Sequence, residues 1–196
     1  MGSPPRNRDP LAELFAVSTR LLEGLGLPYF VIGGLAASVI GEPRFTGDID
    51  LDVFVHENEV GRLLAKARAA GFRFNKKTVL SNLAQFGTFR LARGGLHLDV
   101  LRASTGLEAQ ALKRVRRIRI HGVRANFPSP EDLILLKLVP GREQDLLDAR
   151  AVLLRHRKRL DVGYLEKWAR TLSDEAEDMR IHNTLSKWLE ETRPRR

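Results

Sequence analysis

Three carboxylates stand at alternate positions in Asp48-Ile49-Asp50-Leu51-Asp52-Val53. On a β-strand this spacing turns Asp48, Asp50 and Asp52 to one face, while Ile49, Leu51 and Val53 enter the core. Alternate strand residues lie ~6.5 Å apart at the backbone, so flexible carboxylates can converge on a pair of metal ions about 4 Å apart. Like charges this close call for a counter-cation. An acidic edge strand facing solvent would show the same alternation. Upstream, the apolar run Tyr29-Phe30-Val31-Ile32 ends at Gly33-Gly34. A glycine turn that leads from a strand into a helix aims backbone N–H groups at a phosphate. With Arg44 and Thr46 between the glycines and the acids, the pattern points to metal-assisted phosphate chemistry.

The elements that must position these residues can be read from periodicity and punctuation. Asp9-Pro10 starts a helix whose apolar positions Leu11, Leu14, Phe15, Leu22 and Leu25 run to Gly26. Tyr29–Ile32 is a buried strand, 35–40 a brief apolar helix, 48–55 a second strand, and 60–70 a helix that stops at Gly71. Hairpins are expected where 86–91 and 96–101 flank Arg93-Gly94-Gly95, and where 116–120 and 123–127 flank His121-Gly122. A mixed sheet of about five or six strands follows. Beyond it the pattern is helical: 129–139, 143–155, 162–172 and 174–191. The fold class is therefore α/β (α+β), a mixed β-sheet core flanked by helices in residues 1–128, with a C-terminal helical region in 129–196.

Composition narrows the chemistry. With no cysteine among 196 residues, disulfides, thiolate zinc sites and cysteine nucleophiles are excluded, and any metal must be held by oxygen or histidine. The first ten residues lack the apolar core of a secretory signal, and the longest apolar runs fall far short of the ~20 residues that span a bilayer. A cytoplasmic protein without membrane attachment is expected. The net charge of +9 gathers in Lys113–Arg119, Arg155–Arg159 and the tail Arg193, Arg195 and Arg196, which favours polyanionic partners. The five histidines show no metal-ligand spacing among themselves, and His97 is read as turned away from the side of the sheet that carries Asp99. Trp168 and Trp188 fit core stripes of the last helices. The acids of 174–178 read as a helix N-terminus.

Taken together, Val31-Ile32-Gly33-Gly34 and Arg44-Phe45-Thr46-Gly47-Asp48-Ile49-Asp50 resemble the first motif of the nucleotidyltransferase superfamily (polymerase-beta-like). The Arg-x-Thr-x-Asp-Ile-Asp form looks most like the branch containing AbiEii/MenT-type toxins of toxin–antitoxin systems. The resemblance covers roughly Tyr29 to Asp148, and Asp52 departs from it, since an aliphatic or small residue is common at that position. It implies a third acid on a later strand, Asp99 in Leu96-His97-Leu98-Asp99-Val100-Leu101. It also implies that the segment from Ser129-Pro130-Glu131-Asp132 through Lys137, Arg142, Asp145 and Asp148 closes a nucleotide site, with Lys137 on the triphosphate. By spacing alone, Arg142 would pair with Asp145 at i,i+3.

The activity implied is transfer of a nucleoside monophosphate from a nucleoside triphosphate to an acceptor hydroxyl, with pyrophosphate leaving. Asp48, Asp50 and Asp99 would hold Mg²⁺ or Mn²⁺ and serve catalysis, while Gly33, Gly34, Arg44, Thr46, Lys137 and Asp145 would contact substrate. For the acceptor, charge and resemblance favour a nucleic acid, tRNA in particular, and the toxin-like branch adds a cognate antitoxin as partner. A small molecule or a protein hydroxyl would use the same centre, and a non-catalytic nucleotide- or RNA-binding module would keep the fold without turnover.

Overall fold

Asp9 opens the first helix by accepting the Leu11 N–H on its carboxylate at 3.0 Å, with Pro10 at the first helical position, where no amide is needed. The computed structural model describes residues 9–192. The first eight residues and the tail arginines 193, 195 and 196 lie outside the described residues. In chain order the elements begin with α1 (Pro10–Leu25), β1 (Tyr29–Ile32), α2 (Gly33–Ile40), β2 (Asp48–Val53) and α3 (Glu57–Ala69). They continue with α4 (Lys76–Phe86), β3 (Thr88–Arg93), β4 (Leu96–Arg102), α5 (Gly106–Lys113), β5 (Arg116–Ile120) and β6 (Val123–Phe127). Four helices close the series: α6 (Pro130–Leu138), α7 (Glu143–His156), α8 (Val162–Glu175) and α9 (Arg180–Glu191).

The chain divides into two compact units that interleave along the sequence. One holds the chain up to Leu35 with Thr46–Ser104 and Arg117–Phe127; the other holds Ala36–Phe45, Thr105–Arg116 and the chain from Pro128 on.

The first unit is built on a mixed sheet in the order β1-β2-β4-β3, where β1 is antiparallel to β2, β2 parallel to β4, and β4 antiparallel to β3. Strand alternation gives the sheet two different faces. Ile49, Leu51, Leu98, Val100, Phe89 and Leu91 fall on one of them in register and are fully buried. α1 packs against β2, β4 and α3, covering apolar surface with Leu14, Phe15 and Leu22. The other face carries Asp48, Asp50, His97, Asp99 and Arg90.

The expected mixed sheet is present with four strands rather than five or six. Among the described residues β5 and β6 pair only with each other, and β6 meets β1 through a side-chain amide, Asn126 Nδ2 donating to the Tyr29 carbonyl at 3.1 Å. Phe86 ends α4 and does not begin a strand. α4 is stopped there by Gly87, after starting at Asn75, whose side chain accepts the Thr78 N–H. Neither α4 nor α5 was anticipated. β2 ends at Val53, two residues earlier than its hydrophobicity implied.

In the second unit α6 is buried nearly all round, because α5, α7 and α8 each pack on it. A helix with apolar residues on every side, such as Leu133, Ile134, Leu135 and Leu138, has no other stable placement in water. α8 and α9 pack together through Leu165, Ala169, Leu172, Ile181, Leu185 and the buried Trp188. Trp168 is half-buried beside Tyr164. The acids of 174–178 do not form one helix start: Asp174 and Glu175 end α8, and Asp178 accepts the Arg180 N–H at 2.9 Å where α9 begins. Among the described residues no helix is long and apolar enough to cross a membrane.

Candidate active site

The parallel pairing of β2 with β4 places Asp50 directly beside Asp99 and Asp48 beside His97. Neighbouring strands stand about 4.8 Å apart, so Asp48, Asp50 and Asp99 occupy one patch of a single sheet face. Asp52 shares the alternation but is only 2% exposed, unlike the half-buried Asp48 and Asp50. His97 belongs to this face, contrary to the expectation. It is two residues from Asp99, and strand alternation returns every second side chain to the same side. Its Nδ1 lies 3.4 Å from an Asp48 carboxylate oxygen.

Gly33 is the residue that couples the glycine turn to the acids. β1 ends at Ile32, which pairs with Asp50, and the next residue turns into α2 with φ +63°. A Cβ built at this position would lie 1.9 Å from Asp50 Oδ2 and 2.8 Å from Asp50 Cβ. The Asp50 carboxylate therefore packs in the space that any other residue's side chain would fill. Gly34 follows in the first turn of α2. Thr46 donates its hydroxyl to the Asp48 carbonyl at 3.2 Å, anchoring the chain as it enters β2.

Arg90 was not singled out from the sequence. It pairs with Asp99 across β3 and β4, with Nε 2.7 Å from Oδ1 and Nη2 2.6 Å from Oδ2. A signal for it did exist. A two-residue turn at Gly94-Gly95, both with positive φ, pairs Arg93 with Leu96 and so, counting back, Arg90 with Asp99.

The remaining candidates lie in the second unit as a network of ion pairs. Lys137 Nζ lies 2.6 Å from Asp145 Oδ1 and 3.0 Å from Asp148 Oδ2, and Arg44 grips Asp148 with Nε and Nη2 at 2.9 and 3.0 Å. Gln144 adds a hydrogen bond to Asp148 at 3.0 Å. Asp145 thus takes Lys137 as its partner, and Arg142, which spacing had paired with it, stands at the N-cap of α7. Two cations and two carboxylates, mostly buried, balance one another and tie the 41–45 loop and α6 to α7.

Burial alone would raise the Asp148 carboxyl, but hydrogen bonds from Arg44, Gln144 and Lys137 hold it below the ordinary carboxylate range. A depressed folded pKa contributes stability that is complete above the unfolded value of about 3.9 and is lost as the pH falls through the folded value. Urea midpoints followed into acid should accordingly drop below about pH 4, and Asp148→Asn should flatten that part of the curve. An unchanged acid limb in the variant would show that other carboxylates control it.

Carboxylate oxygens in register on one face are the donor set that hard divalent cations such as magnesium or manganese take. The residues fit such an ion in kind, but among the described residues no three acids or histidines stand grouped as a metal site. Asp99 is turned onto Arg90, and Asp48 toward His97.

A mixed sheet that sets three carboxylates on one face, with a glycine turn packed on one of them, has the form of a nucleotidyltransferase core. The fold is similar to that of the antibiotic-resistance factor ANT(2'')-Ia. Its crystal structure in complex with adenylyl-2''-tobramycin aligns over 85% of this chain and 98% of that one, with a TM-score of 0.58 and 18% sequence identity. Its solution structure aligns over 85% and 97%, with a TM-score of 0.54 and 17% identity. Over residues 11–196 the chain matches the family described as "Nucleotidyltransferase of unknown function (DUF6036)", and it belongs to that family. No curated protein matches it.

Proposed function

We propose that this nucleotidyltransferase moves a nucleoside monophosphate from a nucleoside triphosphate to an acceptor hydroxyl, using the face that bears Asp48, Asp50 and Asp99. The observation that carries the reading is the pairing of Asp50 with Asp99 in register while Gly33 packs against the Asp50 carboxylate. A divalent cation, Mg²⁺ or Mn²⁺, held by Asp48, Asp50 and Asp99 would supply neutralisation of the triphosphate charge.

The chain's own groups do the rest. The first turn of α2, with the Gly33 and Gly34 amides, offers N–H donors and a positive helix end to the phosphates. Thr46 holds the start of β2 so that Asp48 and Asp50 keep their places. The acceptor oxygen forms its bond to the α-phosphorus as the bond to pyrophosphate breaks, and the hydroxyl proton passes to the Asp99 carboxylate. Arg44, Lys137 and Asp145 act in this reading through the ion-pair network that steadies the second unit.

The acceptor we favour is a nucleic acid, tRNA in particular, as for the AbiEii/MenT-type toxins that the first motif resembles, with an antitoxin as the corresponding protein partner. Exposed Lys113, Arg116 and Arg119, and separately Arg157, Lys158 and Arg159, support contact with a phosphate backbone. Arg114 and Arg117 are not available for it, being paired with Glu131 and Asp132 and with Glu23. The likeness to ANT(2'')-Ia favours a second acceptor class, the hydroxyls of an aminoglycoside.

Incubation with each α-labelled nucleoside triphosphate, Mg²⁺ or Mn²⁺, and either total tRNA or tobramycin separates these readings. Label on RNA supports the first acceptor, and label on the sugar moves the assignment to the second. Nucleotide binding with no transfer to RNA, protein or aminoglycoside would instead make the chain a binding module. Asp48→Ala must abolish any transfer found; a variant as active as the parent removes the metal-site assignment.

A further inference from the structure

The acid face already holds a cation. Arg90 meets Asp99 squarely across two antiparallel strands and donates from two nitrogens to both carboxylate oxygens, a forked geometry that takes one lone pair of each oxygen and sets a positive charge where a metal would bring a second. Asp48 and Asp50 act on the same guanidinium, adding to the attraction that Asp99 exerts. At the outer end the guanidinium is open to water: the Arg90 side chain is 56% exposed, against 17% for Asp99. A long, solvent-facing arginine can swing its head away from the sheet while its stem stays on the strand surface.

We infer that Arg90 is the resident counter-cation of the metal-free site, a positioning residue that holds Asp99 aside and must release it when a divalent ion is loaded. This rests on the reading of Asp48, Asp50 and Asp99 as metal ligands. The consequence is competition: the affinity for metal in the absence of nucleotide is lowered by whatever the Arg90–Asp99 fork contributes. Once displaced, the guanidinium is left beside three acids and a bound cation, where the anion it can best meet is the polyphosphate of an incoming nucleotide. Metal and nucleotide loading are then coupled, because phosphate offers Arg90 a replacement for the carboxylate it gives up.

An ordinary exposed cross-strand ion pair would leave metal affinity nearly unchanged when broken. Mn²⁺ titrations of the full chain without nucleotide, read by the electron paramagnetic resonance of the free ion, separate the two cases. Arg90→Gln is expected to bind Mn²⁺ about tenfold more tightly than the parent, since it removes both the charge and the fork. Arg90→Lys, which keeps the charge but cannot fork, should fall between them. Melting of Arg90→Gln should also rise more on Mn²⁺ addition than melting of the parent.

If Arg90→Gln binds no more tightly while Asp50→Asn abolishes binding, the metal site stands and the inference falls. An Arg90→Lys affinity equal to the parent's overturns the fork and leaves only long-range charge. Absence of Mn²⁺ binding in all variants overturns both readings. Where Arg90→Gln fails to fold, Arg90→Lys against the parent decides.

Discussion

Alanine at position 33 is expected to lower nucleotidyl transfer by about a hundredfold or more, the scale on which a 1 Å misplacement near the reacting groups is felt. Two separate costs meet at this residue. Its φ of +63° lies in the left-handed region, which a residue with a Cβ enters at roughly 1–2 kcal/mol. The added methyl would also stand 1.9 Å from Asp50 Oδ2, 2.5 Å from Cγ and 2.8 Å from Cβ. A carboxylate oxygen could swing clear of the methyl, but Asp50 Cβ is fixed to β2 and can move only with the strand. Relief therefore comes either from shifting Asp50 away from Asp99 or from unwinding the first turn of α2, and both disturb the groups on which the proposed reaction depends. Label-transfer rates measured beside melting curves check this. A folded Gly33→Ala protein that works at the parent's rate would show that the Asp50 carboxylate has no part in the chemistry.

Arg114→Ala should be the most damaging substitution for stability, costing about 3 kcal/mol, near the low end of the range for breaking a buried ion pair because the guanidinium is partly exposed. The arginine reaches Asp132 Oδ2 and Glu131 Oε2 at 3.1 Å each, and its guanidinium stacks 4.0 Å from the centre of the Tyr164 ring. Asp132 is entirely buried and Glu131 nearly so. Their other partners, Ser129, the Tyr164 hydroxyl and the Asp161 amide, are neutral. Removing Arg114 leaves two carboxylates in the interior of the second unit with no cation. In the parent, burial alone would raise the Glu131 carboxyl, but hydrogen bonds to backbone and Ser129, with the charge of Arg114, hold it below the ordinary range. That stabilisation is present above about pH 4.3 and fades in acid. In the variant the Glu131 carboxyl loses the charge of Arg114 and is held down less firmly, so the deficit should be largest at neutral pH and shrink in acid. Urea midpoints at neutral and mildly acidic pH test the sign: a deficit that grew on acidification would contradict the account.

The candidate site was legible in the sequence where its logic is local. Acid–aliphatic alternation gave Asp48 and Asp50 a common face, the mid-strand position of Asp99 gave it a strand, and Gly33-Gly34 marked a turn that needs a missing side chain. α4 and α5 carry their caps in the sequence: Thr105 and Glu108 form a reciprocal capping box, and Asn75 caps α4. Their short, weakly apolar faces were too faint beside the hairpin signals around them. His97, expected on the opposite side, shares the face of Asp99, as the i,i+2 alternation of a strand requires.

Other relations could not have been read from local pattern. Lys137 sits in an apolar run eight residues before Asp145, and only the folding of α6 against α7 decides that it meets Asp145 and Asp148 rather than water. Arg44 meets Asp148 from more than a hundred residues away. The residues 36–45 and 105–116 join the C-terminal helices in one unit, although nothing in their own composition says so.

By itself, then, the amino-acid order determined which face each acid takes and where the chain must turn, because side-chain direction follows from backbone periods of two and 3.6 residues. Only the tertiary structure decided that Asp50 lies beside Asp99 and that its carboxylate fills the space above Gly33. Those facts depend on which strands become neighbours and in what register, and pairing across long loops is set by the burial of the whole sheet rather than by any one segment.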